Sequence, residues 1–353
     1  MRHALLVGSM PFRDEEDCMR RALAELGPHL FSLPDGEVGE RTPEFPDGTR
    51  ACWIIRAVEI LYKDRENWRV VKEPVRARNG VPATYDGLHQ LEPLCQPEEV
   101  PHRLSFGYDA ELARYYPLFR RLRDEGGWNG LKFQMGVPTG LGLGFVIANP
   151  EDRMRYLGAF NEVIAREVNA MLELAGDDVV IQLEAPPEVY AAYAMPQMMD
   201  ALSLGPILDL VGRIRPRARI GLHLCLGDLH NMPLMQLDDL RPLVEFSNRL
   251  VERWPREHEL VYMHYPLAAG NVPPSTDPAL YQPLADIRLP EGTHFVAGFV
   301  HEGLSDGEST GILRAIEEAR GSKVDVASSC GIGRRKPEVA EQLLRRTARL
   351  AAS

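Results

Sequence analysis

The sequence predicts an α/β fold, a (β/α)8 TIM barrel with an elaborated connection after the second strand. Short runs rich in Val, Ile and Leu recur between longer segments of helical periodicity, as in parallel sheets covered by helices. Eight such alternations fit within 353 residues, which favours a barrel over an open doubly wound sheet. We expect residues 1–353 to form a single barrel domain, although length alone would also allow about two domains.

Eight short apolar runs are predicted as the parallel strands. They cover residues 3–7, 29–33, 131–135, 179–183, 220–224, 260–264, 294–299 and 324–328. The active site of such a barrel lies at the carboxyl ends of its strands. The polar residues that end or follow these runs are therefore the candidate functional residues.

Five segments between the strands carry apolar residues at helical spacing. They cover residues 15–26, 150–175, 237–254, 311–319 and 337–351. In the last segment Val339, Leu343, Leu344 and Leu350 stand among arginines, which predicts one buried stripe and one solvated face.

Residues 42–129 mix Pro, Arg and Tyr without clear periodicity. We interpret them as an insertion that partly covers the barrel mouth, with helices over residues 51–62 and 110–125. A small separate domain is the alternative for this stretch.

The composition limits which partners the protein is expected to bind. Acidic residues outnumber basic ones, 51 to 40, and the net charge is −11. This charge would repel phosphate backbones and anionic lipid, so neither nucleic acid nor a membrane is an expected partner. No apolar run approaches the ~20 residues that span a bilayer, and the N-terminal segment turns polar soon after Val7, unlike a signal peptide. We expect a cytoplasmic protein, with its oligomeric state left open.

The cysteines are odd in number and scattered, which argues against a disulfide framework. We expect them to be reduced, so that their thiols are available for other chemistry. They are Cys18, Cys52, Cys95, Cys225 and Cys330.

A candidate metal site lies at the ends of three predicted strands. His223 and Cys225 are two residues apart, so both side chains leave the same face of a strand, and His264 and Cys330 end later strands. Imidazole and thiolate ligands suit tetrahedral zinc better than hard cations. Because no Cys-x-x-Cys knuckle is present, such a site would be assembled by the fold. The alternative is a set of buried core residues that hold no metal.

Carboxylates form a second group of candidates. Asp35, Glu37 and Glu40 follow the second strand, and Glu184 follows the fourth, where its side chain would face the barrel lumen. Such carboxylates could bind a substrate ammonium or act as acid and base. The alternative for Asp35 and Glu40 is a polar loop paired with Arg41.

Three further segments follow predicted strands. Gly8-Ser9 after the first strand could offer backbone groups to a ligand, or be a simple turn. The glycines of residues 136–144 lack the spacing of a dinucleotide fingerprint, and a flexible substrate loop is the better interpretation. His301, after the seventh strand, could transfer a proton or only cap its loop.

Five short motifs occur in one order along the chain. They are Gly8-Ser9-Met10-Pro11, Asp35-Gly36-Glu37-x-x-Glu40-Arg41, Gln182-Leu183-Glu184, His223-x-Cys225 and Ser329-Cys330-Gly331. In this order they resemble the C-terminal catalytic barrel of cobalamin-independent methionine synthase, within the uroporphyrinogen decarboxylase and methionine synthase superfamily. The similarity covers most of the chain. Because the large N-terminal half of the full-length synthase is missing, the chain resembles the short, core-only relatives.

The resemblance implies a zinc site. In that family, zinc held by His, Cys, Glu and Cys binds a substrate thiol as the thiolate, which attacks a methyl group. His223, Cys225 and Cys330 match three of these ligands. His264 stands where the family has its Glu, which implies a His2Cys2 site.

The resemblance also implies substrate-binding and catalytic residues. The family's amino-acid-binding acids fall on Glu37 and Glu184, and the backbone of Gly8 and Ser9 would meet the substrate carboxylate. His301 matches a histidine suspected of proton transfer.

These implications lead to zinc-dependent methyl or alkyl transfer to a thiol such as homocysteine, as in methionine biosynthesis. The partners are then a small-molecule thiol and a methyl donor, which could be a folate, a corrinoid or another methylated metabolite. The Trp expected near a folate pterin is missing after Met135, so the donor stays open. A zinc-assisted hydrolase or lyase, with Glu184 or His301 as base, is the second hypothesis. A metal-free decarboxylase is the third, and it would leave His223 and Cys225 unexplained.

Overall fold

A computed structural model describes residues 2–51 and 53–353, so Met1 and Cys52 lie outside the described residues. Within this part of the chain the strands are β1 (Ser32–Pro34), β2 (Trp68–Lys72), β3 (Gln90–Pro93), β4 (Lys132–Pro138), β5 (Val179–Glu184), β6 (Arg219–His223), β7 (Glu259–Pro266), β8 (His294–Val300) and β9 (Asp325–Ser328). Seven of them form one curled sheet in the order β1-β4-β5-β6-β7-β8-β9, and every pair is parallel. The predicted α/β class is confirmed, and the sheet is consistent with a TIM-like barrel.

The first predicted strand, residues 3–7, does not form a regular strand. Ala4 instead makes one isolated parallel bridge with Leu30 at one edge of the sheet and one with Val326 at the other. The N–H of His3 donates to the side chain of Asp325 at 2.6 Å rather than to a backbone carbonyl, which interrupts the ladder. The two edges of the seven-stranded sheet are therefore joined by single bridges and not by a full eighth strand.

Helices cover the outer face of the sheet. They are α1 (Glu15–Leu26), α2 (Trp53–Lys63), α3 (Val100–Arg103), α4 (Tyr108–Gly126), α5 (Gly140–Gly144), α6 (Pro150–Ala175), α7 (Pro186–Ala194), α8 (Gly205–Arg213), α9 (Arg241–Glu252), α10 (Asp306–Arg320) and α11 (Pro337–Ala351). Within the described residues, no helix is both long enough and apolar enough to cross a bilayer.

Helix ends follow local capping signals. Asp14 accepts a hydrogen bond from the N–H of Asp17 before α1, and Asn149 accepts one from Glu151 before α6, whose first residue is proline. Such caps pair backbone N–H groups that the first turn leaves without partners. Helices α1, α6 and α11 accordingly have the bounds that the sequence predicts.

Residues 136–144 differ from the flexible loop that the glycines indicate. Strand β4 runs to Pro138, and the Thr139 hydroxyl then accepts a hydrogen bond from the N–H of Gly142 at 3.2 Å, at the start of the short helix α5. A Cβ on Gly140 would come within 2.4 Å of the Leu157 carbonyl oxygen. These glycines therefore permit close packing against α6, and the flexible-loop interpretation is wrong.

The segment before β4 carries α2, α3, α4 and a two-stranded antiparallel sheet of β2 and β3. The buried carboxylate of Glu167 on α6 accepts hydrogen bonds from the N–H groups of Phe106 and Tyr108 at 2.7 and 2.9 Å and from the Ser105 hydroxyl at 2.9 Å. This one side chain therefore caps α4 and anchors the end of the segment to α6.

Candidate active site

Three potential metal ligands converge at the carboxyl ends of β6 and β9. One ligand atom from each of His223, Cys225 and Cys330 lies within 4.8 Å of the other two, and the two Sγ atoms are 3.8 Å apart. All three side chains are buried. The structure thus brings together three of the four residues that the sequence indicates as ligands.

The two thiols are free and close to each other. The Cys225 thiol, together with burial, raises the pKa of Cys330 well above its ordinary value. The N–H of Gly227 donates to the Cys225 sulfur at 3.3 Å, a contact that favours negative charge there. A bound cation would reverse the effect on Cys330, because metal coordination deprotonates a thiol.

His264 adjoins His223 on the neighbouring strand, and both of its ring nitrogens are hydrogen-bonded. Its Nε2 lies 2.9 Å from the carbonyl oxygen of Ser328, and its Nδ1 lies 2.8 Å from Nδ1 of His223. The structure therefore offers no free nitrogen of His264 to an ion at the cysteines. His264, which the sequence implies as a fourth ligand, is here the hydrogen-bond partner of the candidate ligand His223.

The tautomers of both rings follow from these partners. A carbonyl oxygen only accepts, so Nε2 of His264 donates to Ser328. Burial lowers the pKa of His264 to about 4 and holds that of His223 well below its usual range, so both rings are neutral. Nδ1 of His264 must then accept, and Nδ1 of His223 must donate. This leaves the lone pair of His223 on Nε2.

The geometry fits zinc. Nε2 of His223 is buried and has no hydrogen-bond partner among the described residues. In a tetrahedral site with Zn–S bonds of about 2.3 Å, two sulfur ligands lie about 3.8 Å apart, and the sulfurs of Cys225 and Cys330 are 3.8 Å apart. One imidazole nitrogen and two thiolates are a donor set that zinc prefers.

Glu184 ends β5 and pairs in register with His223 on β6. The amide nitrogen of Gln182 donates to Glu184 Oε1 at 3.0 Å and to the Val7 carbonyl at 2.7 Å, and the Tyr262 hydroxyl donates to Gln182 Oε1 at 2.8 Å. The buried Gln182 therefore fixes the carboxyl group of Glu184 beside the cysteine–histidine group.

Glu37 lies against Gly8. The two segments predicted to bind the substrate therefore contact each other, as the prediction requires. A Cβ on Gly8 would come within 2.6 Å of Glu37 Oε1, so only glycine permits this approach. Glu37 itself has a positive φ of 51°, and its N–H donates to Asp35 Oδ1 at 2.8 Å. Asp35 pairs with Arg50 at 2.9 Å and not with Arg41, the partner in the polar-loop alternative.

The two glutamates influence each other electrostatically. Burial and the nearby Asp35 raise the pKa of Glu37 to about 7. Burial, Glu37 and Cys330 raise the pKa of Glu184 well above its ordinary value. A cationic ligand between the two carboxyl groups would relieve this repulsion and restore both negative charges.

Sequence reasoning missed Arg334. Its Nη1 donates to the Ser9 hydroxyl at 2.6 Å, and its Nε lies 3.7 Å from Asp228 Oδ2. Arg334 also lowers the pKa values of Glu37 and Glu184, against the stronger effect of their burial. Its position four residues after Cys330, in the same strand-end loop, is the signal that could have identified it.

His301 lies apart from this group. Its Nε2 donates to the Gly270 carbonyl at 3.1 Å, and its Nδ1 accepts from the N–H of Gly303 at 2.9 Å. It is not among the described residues that line the cavity at the cysteines. The structure thus shows His301 holding its loop together, and does not place it beside the cysteine–histidine group.

A cavity opens onto the two cysteines. Its polar wall includes Tyr85, Glu184, Asp228 and Arg334. The rest is mainly apolar, with side chains from α2 and from the loops after β4 and β6: Ile54, Ile55, Val58, Phe145, Val146, Leu229 and Leu234. One part of the cavity wall is therefore polar, and the remainder is mainly apolar.

Comparison with solved structures gives matches to methionine synthases. A B12-independent methionine synthase from Shewanella sp. W3-18-1, in complex with selenomethionine, aligns over 96% of this chain and 86% of its own, with 13% identity and a TM-score of 0.55. A putative vitamin-B12 independent methionine synthase from Listeria monocytogenes aligns over 63% of each chain, with 12% identity and a TM-score of 0.41. No protein family and no curated protein matches the sequence. At 13% identity, the similarity to the Shewanella structure shows a shared fold.

Proposed function

We propose that this protein is a zinc-dependent enzyme that transfers a methyl or alkyl group to a thiol such as homocysteine. The observation that carries the proposal is the convergence of His223 with two free thiols, together with the buried Nε2 of His223, which has no hydrogen-bond partner among the described residues. The fold supports it, since the Shewanella synthase with this fold was solved with selenomethionine, an amino acid of the class that methyl transfer to homocysteine would produce.

The metal would be held by Nε2 of His223 and the sulfurs of Cys225 and Cys330. A zinc ion bound there would stabilise a substrate thiol as the thiolate at neutral pH. His264 fixes the tautomer and orientation of His223, and the Gly227 N–H stabilises charge on Cys225. Three protein ligands leave a tetrahedral position for the substrate sulfur.

The carboxyl pair would bind the ammonium group of the amino acid. Glu37 and Glu184 are buried and repel each other electrostatically, and burial outweighs the effect of the nearby Arg334 on both carboxyl groups, so a substrate ammonium is a favourable third partner. The guanidinium of Arg334, next to Ser9, supplies positive charge on the side where the substrate carboxylate would lie. With its ammonium group held by the carboxyl pair and its carboxylate by Arg334, the substrate would point its thiol toward the cysteine–histidine group.

The apolar part of the cavity would take the methyl donor. Side chains such as Ile55, Val58 and Leu234 exclude water from the region above the cysteines, and a thiolate in a water-poor site is a stronger nucleophile because less of its charge is hydrated. Folates, corrinoids and smaller methylated metabolites remain the donor classes to test.

The test is methyl transfer to homocysteine from methyltetrahydrofolate and from methylcobalamin, with zinc content measured on the same samples. Cys225→Ala and Cys330→Ala should each lose transfer and the zinc that X-ray absorption shows with two sulfur neighbours, because each removes a thiolate ligand. Glu184→Gln should keep zinc but bind homocysteine at least about tenfold more weakly in calorimetry, because it removes a charge-assisted contact.

Cys95→Ala is the matched control, since Cys95 is also a buried free cysteine but follows β3 and is not among the described residues that line the cavity at the cysteines. It should keep zinc and activity. Zinc with two sulfur neighbours, retained in full in both Cys225→Ala and Cys330→Ala, would reject the ligand assignment. Zinc that never gains a sulfur neighbour from homocysteine would favour the hydrolase or lyase hypothesis instead.

A further inference from the structure

A second group of metal-ligating side chains lies at the opposite, amino end of the sheet. His3 precedes the Ala4 bridge, His294 begins β8, and Asp325 begins β9. One ligand atom from each lies within 4.8 Å of the other two. Nothing in the proposed transfer reaction uses this group, because it lies at the other ends of the strands.

The two imidazoles share one carboxylate. Nδ1 of His294 lies 2.6 Å from Oδ2 of Asp325, and Nδ1 of His3 lies 3.5 Å from Oδ1. The rings of His3 and His294 stand perpendicular, with centroids 5.1 Å apart, and Phe31 stacks on His294 at 4.8 Å. Both rings are thereby held facing the same carboxylate.

The group is charged and accessible, which a metal site requires. Burial opposes charge on Asp325, but the hydrogen bonds from His294 and His3 outweigh burial and hold its pKa well below the usual range, so it is a carboxylate at neutral pH. The side chains of His3 and His294 are 32% and 31% exposed, and that of Asp325 is 10% exposed. An ion can therefore reach the imidazole nitrogens from solvent.

We propose that His3, His294 and Asp325 form a second divalent metal site, of the zinc and nickel class, that fastens the N-terminal segment to β8 and β9. Two imidazoles and one carboxylate suit these borderline ions. A metal ion would replace the short contact between His294 and Asp325 by two coordinate bonds.

The location gives such an ion a structural effect. In this region Ala4 joins the two edges of the sheet by single bridges, and the N–H of His3 already bonds the Asp325 side chain. Coordination would add a link at the point where the ladder is incomplete. Because an ion that binds only the folded state stabilises it by mass action, it should raise the melting temperature.

The decisive variant is the double substitution Cys225→Ala and Cys330→Ala in the untagged full-length protein, which removes the thiolates of the first site. Calorimetric titration with Zn²⁺ should still show one equivalent bound, and X-ray absorption should show nitrogen and oxygen neighbours with no sulfur. Failure of this variant to bind zinc would overturn the proposal, whatever the outcome of the transfer assay.

A matched pair of variants in the same background locates the site. His3→Gln removes one imidazole but keeps the backbone bond to Asp325, so it should fold. It should weaken zinc binding by more than about 100-fold, which is beyond the 10–100-fold that loss of a supporting contact causes, and abolish the rise in melting temperature. His102→Gln, which removes an exposed imidazole elsewhere, should change neither. Equal zinc affinity in the two variants would contradict the assignment, and would leave the group as a hydrogen-bonded His–Asp–His link.

Discussion

The state of the proposed ligand His223 is set by a chain of two hydrogen bonds that starts at a backbone carbonyl. The Ser328 carbonyl orients His264, and His264 in turn orients His223. Partners of this kind raise the basicity of a ligand and fix the ring in place. Without His264, Nδ1 of His223 would be a buried donor without an acceptor, and either nitrogen could then carry the proton.

At this scale we predict the effect of His264→Phe. The variant keeps an aromatic ring but removes the acceptor for His223, so zinc affinity should fall about 10–100-fold, as for other supporting partners of metal ligands. Competition with a coloured chelator measures the affinity. X-ray absorption on the zinc-loaded variant should still show one nitrogen and two sulfur neighbours from the protein.

His258→Phe is the control, because His258 is a second buried histidine that precedes β7 at the opposite end of that strand. Its zinc affinity should match that of the unmodified protein. Unchanged affinity in His264→Phe would show that the hydrogen bond is dispensable. Loss of a nitrogen neighbour in that variant would return His264 to the role of ligand.

At the scale of elements, α1, α6 and α11 were predicted to the residue, whereas short polar strands were missed. Helix α10 was predicted to begin at residue 311, although the capping box of Ser305 and Glu308 starts it at Asp306. Strands β2 and β3 contain no apolar run, because their small sheet is largely exposed. Charged residues such as Arg69, Lys72 and Glu92 interrupt them. The glycines before α6 were interpreted as a sign of a loop. A sequence does not show where another backbone segment lies so close to a glycine that a Cβ atom would not fit. Capping residues near a helix end thus help to predict where that helix begins. The wrong predictions concern features that depend on contacts with distant parts of the chain.

Glu167 provides the prediction at this scale. Its carboxylate accepts three hydrogen bonds at the start of α4, and Glu167→Gln would place an amide NH2 against buried N–H donors. The free energy of unfolding should fall by about 1–3 kcal/mol, measured by urea denaturation.

Glu162→Gln on the same helix is the control, since Glu162 is 55% exposed and 3.7 Å from Arg213. Its effect should stay within about 0.5 kcal/mol. Equal stability losses in the two variants would show that Glu167 does not anchor the segment that precedes β4.

At the scale of the whole molecule, the candidate site is assembled from segments more than 100 residues apart in sequence. The rule that parallel strands place their carboxyl ends together brought His223, Cys225 and Cys330 into one prediction, and the structure brings them within 4.8 Å. Glu37 and Glu184 were identified in the same way. The helix expected over residues 51–62 corresponds to α2, which lines the cavity. The contact between Arg334 and Ser9 depends on packing between distant segments and could not be predicted.

The central claim is a zinc ion bound by His223, Cys225 and Cys330 with a position free for a thiol. X-ray absorption at the zinc edge, recorded on the His3→Gln variant before and after addition of homocysteine, tests it most directly, because this variant lacks a ligand of the second proposed zinc site. We predict one nitrogen and two sulfur neighbours from the protein, and one additional sulfur neighbour when homocysteine is present. Zinc without sulfur neighbours, or a spectrum that homocysteine leaves unchanged, would contradict it.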